Sequence, residues 1–147
     1  MNFFIRRLQL DLVPTSTSLA ILLLRVALGT QMLLGHGWPK LMTFSEKAAT
    51  FPDPLGVGHT TSMALAVFGE VVCSALLVVG AFTRLAALSG AVTMSVAFFL
   101  VHGGKLMGEG NGEMAFLYLV GFAAIFLTGP GCFALDSKLG GRTSAAK

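Results

Sequence analysis

Apolar residues in this chain do not alternate with polar ones; they run in blocks. Four blocks, at about residues 18–36, 62–80, 84–102 and 113–128, each approach the roughly 20 residues that carry a helix across a hydrocarbon core about 30 Å thick. The breaks between them carry helix-end chemistry. Thr15, Ser16, Thr17 and Ser18 offer hydroxyl caps to the first block, and Thr60, Thr61 and Ser62 do the same for the second after the turn formers Pro52, Pro54, Gly56 and Gly58. Gly80 ends the second helix and Thr83 opens the third, a tight antiparallel hairpin, while Asn111 caps the fourth and Gly129-Pro130-Gly131 stops it. Trp38 and Pro39 read as the exit of the first helix, and Leu41, Phe44, Ala48 and Phe51 recur at helical spacing beyond them. The pattern predicts an all-α polytopic membrane protein. Its single domain is a four-transmembrane-helix antiparallel bundle, with a short outer-surface helix between helices 1 and 2. Residues 1–14 predict an amphipathic segment on the inner surface, followed by a retained first helix, and residues 137–147 a flexible tail.

Composition excludes a soluble domain: 54% of residues are hydrophobic, 12% are charged, and the mean hydropathy is +0.80. The net charge of +3 and the pI near 9.2 read as membrane topology, with no nucleic-acid partner implied. Arg6, Arg7, Arg84, Lys138, Arg142 and Lys147 fall on one side of the predicted spans, and Lys40, Lys47 and Lys105 on the other. This asymmetry places both termini in the cytoplasm, with the chain in the cell (inner) membrane. Cys73 and Cys132 form no C-x-x-C pair, which argues against a thiol–disulfide exchange enzyme.

Charges inside the apolar blocks need partners, because an unpaired ion at the bilayer centre costs from about 3 to above 10 kcal/mol. Glu70 lies near the middle of the second block, with Ala66, Val67, Cys73 and Ser74 on its helical face. Arg25, Gly29, Met32 and His36 share one stripe of the first. Helix rise puts Arg25 about 10 Å and Glu70 about 15 Å from the inner end, so an Arg25–Glu70 pair is expected. Asp136 is the expected partner of Arg84 at the inner surface. Arg25, Glu70, Arg84 and Asp136 then have structural roles, and for Glu70 a structural lock and a working site remain equally open.

The chain resembles the DoxX family of small bacterial membrane proteins over nearly its whole length. The resemblance rests on LLLRVALG leading to GHGWPKL, on the GEVVCSALLVVGAFTRLAAL hairpin, on AFFLVHGG, and on GEMAFLYLVGFAAIFLTGPGCFALD. It implies a four-helix transmembrane unit and redox work linked to quinones, since relatives include subunits of thiosulfate:quinone oxidoreductase and of a terminal quinol oxidase. Arg25, His36, Glu70, Arg84, His102, Glu113 and Asp136 match the family's recurring polar positions, and none carries over as catalytic.

Periodicity brings His36, Glu70, His102 and Glu113 to the outer half of the bundle. As a catalytic set they predict a quinone or quinol pocket, with imidazole bonding a ring oxygen and a carboxylate accepting a proton. Arg25, Trp38, Phe98 and Tyr118 are the expected substrate contacts, with Phe99 and Phe116 adding aromatic surroundings. The same two imidazoles and two carboxylates are an alternative divalent-metal set, although the Glu-x-x-His spacing of di-iron bundles is absent. Neither haem nor flavin is expected. A third class is a non-catalytic anchor or accessory subunit for a partner oxidoreductase. Expected partners are the lipid membrane, such a subunit, or further copies of the chain.

Overall fold

The computed structural model describes residues 16–139, so the predicted amphipathic segment and the tail beyond residue 139 lie outside the described residues. Among the described residues every regular element is helical and no strand occurs. Helix α1 spans Thr17–Met42, α2 Phe44–Lys47, α3 His59–Val79, α4 Thr83–Val101, α5 Glu113–Thr128 and α6 Leu135–Leu139. Helices α1, α3 and α4 are long and apolar enough to cross a membrane; α5, at 16 residues, is a shorter apolar helix. The Ser16 hydroxyl caps α1 by accepting from the Leu19 amide at 3.2 Å, and Gly80, at φ 75°, closes α3 in the left-handed conformation that glycine tolerates.

Helix α1 packs against α3 and α5, and α4 packs against the same two helices from the other side. Contact is close because small residues stand at the crossings. A Cβ on Gly29 would lie 3.0 Å from the Ser74 carbonyl oxygen, and one on Gly37 only 2.7 Å from that of Glu70. Met32, Leu77, Ala87, Phe122 and Ile125 fill the interior, while Leu23, Leu117 and Leu127 point outward, as lipid contact requires.

Two features depart from the sequence pattern. Helix α1 does not end at Trp38 and Pro39 but continues to Met42. Pro39 falls in the first turn of the α-helical stretch Trp38–Met42, where a missing N–H costs little. The chain between α1 and α3 therefore forms the short helix α2 and a single 3-10 turn, Ala48–Thr50, not one surface helix over residues 40–51.

The second departure is a π-helical turn in each long helix: Leu33–Gly37 in α1, Phe68–Cys73 in α3 and Val96–Val101 in α4. Each inserts one residue into the hydrogen-bond ladder and rotates everything beyond it by about 100° relative to an uninterrupted helix. Stripes drawn at spacings of three and four do not extend across such turns.

Candidate functional site

Glu70 sits within the π turn of α3 and is 4% exposed. Its partner is Lys40, from the last turn of α1, whose ammonium donates to Oε1 at 2.8 Å and to Oε2 at 2.6 Å. The lysine side chain keeps 30% of its surface and the glutamate 6%, so the amine reaches in from a wetter position toward a sheltered carboxylate.

The expected Arg25–Glu70 pair is absent. Arg25 lies at the opposite end of the molecule, where Nη1 donates to the Leu77 carbonyl at 2.9 Å and Nε is buried without a partner. Register explains the difference. Gly37 is the residue of α1 that crosses at Glu70, and Arg25 lies twelve residues earlier, about 18 Å down the helix. Lys40, three residues beyond Gly37, takes that place, and it follows Pro39, which in the sequence reads as the end of the helix.

Two cavities meet at this ion pair. The larger, about 580 Å³, lies between α3, α4 and the segment leading into α3, with walls that include Phe51, Leu55, Ala66, Ser89 and Thr93. Leu65 (52% exposed) and Val92 (56%) also line it, so its rim faces the surroundings of the helices. The smaller, about 140 Å³, is lined by His36, Tyr118 and the three methionines Met32, Met94 and Met114. Lys40, Glu70, Ala97 and His102 line both, and the ion pair is the partition between them.

His102 follows the π turn of α4, and its Nδ1 lies 3.0 Å from the Gly110 carbonyl oxygen. A carbonyl can only accept, so Nδ1 donates, which in the neutral ring makes Nε2 the acceptor. His36 meets the buried Tyr118 ring edge to face, with centroids 5.5 Å apart.

Three of the four expected catalytic residues thus come together. Glu113 does not: it is exposed in the first turn of α5, where its amide donates to Asn111 Oδ1 at 3.0 Å, and it lines neither cavity. Of the expected substrate contacts, Tyr118 lines the smaller cavity. Phe98 is buried behind the wall against Phe99 and Phe116, Trp38 is exposed, and Arg25 is remote. Among the described residues no group of three His, Cys, Asp or Glu side chains is placed to hold a metal ion, and His36, Glu70, His102 and Glu113 do not form one.

At the Gly80 end of the molecule Asp136 accepts from the amides of Phe82 (2.7 Å) and Thr83 (2.8 Å), and its own amide donates to the Gly80 carbonyl. The expected Arg84–Asp136 pair is replaced by this cap on α4, and the Arg84 guanidinium lies over Gly129. Burial pushes the Asp136 carboxyl upward, but the amides and the charge of Arg25 outweigh it and hold it below the usual range. Sequence reasoning also missed Asp53, before α3. It accepts from the Val57 amide (3.1 Å), the Gly58 amide (2.8 Å) and the Ser62 hydroxyl (2.6 Å), the last being the strongest of the contacts that lower its pKa.

The DoxX family model matches residues 20–103. An uncharacterized protein of Haemophilus influenzae is 34% identical over 125 residues, covering 78% of this chain and 87% of that relative. No solved structure matches the chain.

Proposed function

The chain belongs to the DoxX family, and we propose that it is a quinone- or quinol-binding membrane protein that acts as a redox enzyme or as a subunit of one. The reading places α5 beside the three long helices as a fourth membrane segment, in the inner membrane with both termini cytoplasmic. One observation carries it. The 580 Å³ cavity is apolar along its walls and polar at the end where Lys40, Glu70 and His102 meet. That arrangement suits a flat ring with oxygens at one edge and a tail lying toward Leu65, Phe68 and Val92. The Lys40 ammonium would donate to a quinone carbonyl, while Glu70 and His102 Nε2 would accept from a quinol hydroxyl. Electrons would pass to or from a partner redox protein, since the two cysteines of the chain stand apart, Cys73 buried and Cys132 exposed.

The test is extraction and identification of quinone from protein purified in native lipid, followed by titration of the protein in nanodiscs with decylubiquinone. Saturable binding that Glu70→Gln and His102→Ala weaken at least tenfold supports the reading. Failure to retain or bind any quinone leaves the accessory anchor for a partner oxidoreductase as the function.

A further inference from the structure

The larger cavity has a roof of unusual construction. Phe51, Pro52, Pro54 and Leu55 line it, yet they belong to no helix; they are part of the segment that joins α2 and the following turn to α3, at the end of the molecule opposite the Gly80 hairpin. Such a segment has no backbone ladder to fix it. Gly56 and Gly58, at φ 69° and 96°, give it two points where the chain bends in a way most residues resist, with open space beside Gly56.

What fixes it is Asp53. Its two carboxylate oxygens gather two backbone amides of the same segment and the hydroxyl of Ser62, which is itself buried in the first turns of α3 and lines the cavity. His59 Nδ1 adds a second tie, donating to the Phe51 carbonyl at 2.6 Å. Asp53 lines neither cavity. It holds the roof without touching what lies beneath.

We propose that Asp53 is the positioning residue of the larger cavity. By fastening Phe51–Pro54–Leu55 over α3 it shuts the outer end of the cavity to water, so the cavity fills from the lipid side, between α3 and α4. For the identity of the ligand this rests on the quinone reading; for the path of entry it does not. A cavity that loads from lipid selects ligands with long apolar tails and rejects the same ring without one.

The experiment uses the full chain in liposomes with Cys132→Ser and a nitroxide label on Ala66→Cys in the cavity wall. Collision of the label with oxygen, which dissolves in lipid, is compared with collision with a water-soluble nickel chelate. With Asp53 intact, oxygen reaches the label and the chelate does not. Loss of three bonds to a charged acceptor in Asp53→Ala raises chelate access about tenfold or more while oxygen access stays high. Ser62→Ala gives a smaller rise, and Asp53→Asn, which keeps an acceptor oxygen, restores part of the exclusion. An unfolded chain would instead sharpen the label's spectrum, which separates misfolding from an opened roof. Chelate access already high with Asp53 present, or unchanged in Asp53→Ala, overturns the proposal. If the roof behaves as described and decylubiquinone does not bind, the quinone reading alone fails; if decylubiquinone binds no more tightly than its tail-less ring, entry from lipid alone fails.

Discussion

Lys40 and Glu70, thirty residues apart in the chain, join α1 to α3 through an ammonium 2.6 Å from a carboxylate oxygen. The pair ties the last turn of α1 to the middle of α3, while Arg25 holds α1 separately to the Gly80 end of α3 through the Leu77 carbonyl. The two cations of α1, Arg25 buried and Lys40 partly exposed, thus have two different jobs.

Breaking the ion pair by removing one member leaves the other uncompensated. Lys40→Met is expected to cost about 3 kcal/mol, and Lys40→Met/Glu70→Leu to recover much of that loss. Arg25→Met and Glu70→Leu, by contrast, are expected to add to within about 0.5 kcal/mol, because the two groups share no partner. Reversible unfolding in mixed micelles measures both cycles. A neutral Lys40→Met, or strong coupling of Arg25 to Glu70, contradicts the observed pairing.

Glu113 gives a contrasting case. It is exposed and away from both cavities, so Glu113→Gln is expected to shift stability by no more than about 0.5 kcal/mol. Decylubiquinone affinity should be unaltered. A tenfold loss of affinity would return this carboxylate to the site.

At Gly37 there is no room for a methyl group, since the new Cβ would meet the Glu70 carbonyl carbon and oxygen at 2.8 and 2.7 Å. Gly37→Ala must push α1 from α3 and is expected to cost about 1–3 kcal/mol. Lengthening the distance from Lys40 to Glu70 should also weaken ligand binding. Wild-type stability in this variant would mean the helices do not cross there.

Acid should loosen both ends of the molecule. The carboxyls of Asp53 and Asp136 are held below the ordinary value of 3.8 in the folded chain. Groups of this kind contribute stability that is fully present above the unfolded pKa and is lost as pH falls through the folded one. The melting temperature should therefore be insensitive to these two groups above about pH 5 and should fall below about pH 4. Asp53→Asn and Asp136→Asn should each flatten that fall; a curve unchanged by either variant removes the residue from the linkage.

The helices themselves were plain in the hydrophobic blocks. Blocks 62–80, 84–102 and 113–128 match α3, α4 and α5 to within a few residues, because apolar length and glycine stops act locally. What local pattern could not supply was the register between helices. The stop assigned at Pro39 shortened α1 and concealed Lys40 as a helical residue, and the π turns displaced side chains that simple periodicity aligned. His36, Glu70 and His102 were found because polar groups in an apolar block must converge somewhere. Glu113 was misplaced because a residue in the first turn of a helix can serve the connecting loop as readily as the interior. Asp53 left a fainter signal, an acidic residue between two prolines ahead of a helix start.

Each of the three π turns contributes one residue, His36, Glu70 or Ala97, to the lining of the smaller cavity. Deleting one residue from such a turn would restore a regular α-helix, shorten the element by only about 1.5 Å and swing its outer part by about 100°. A membrane protein can absorb so small a change in length. Single-residue insertions and deletions at these places are therefore a route by which chains of this architecture can exchange the side chains that face the chamber while leaving the Arg25 end in register.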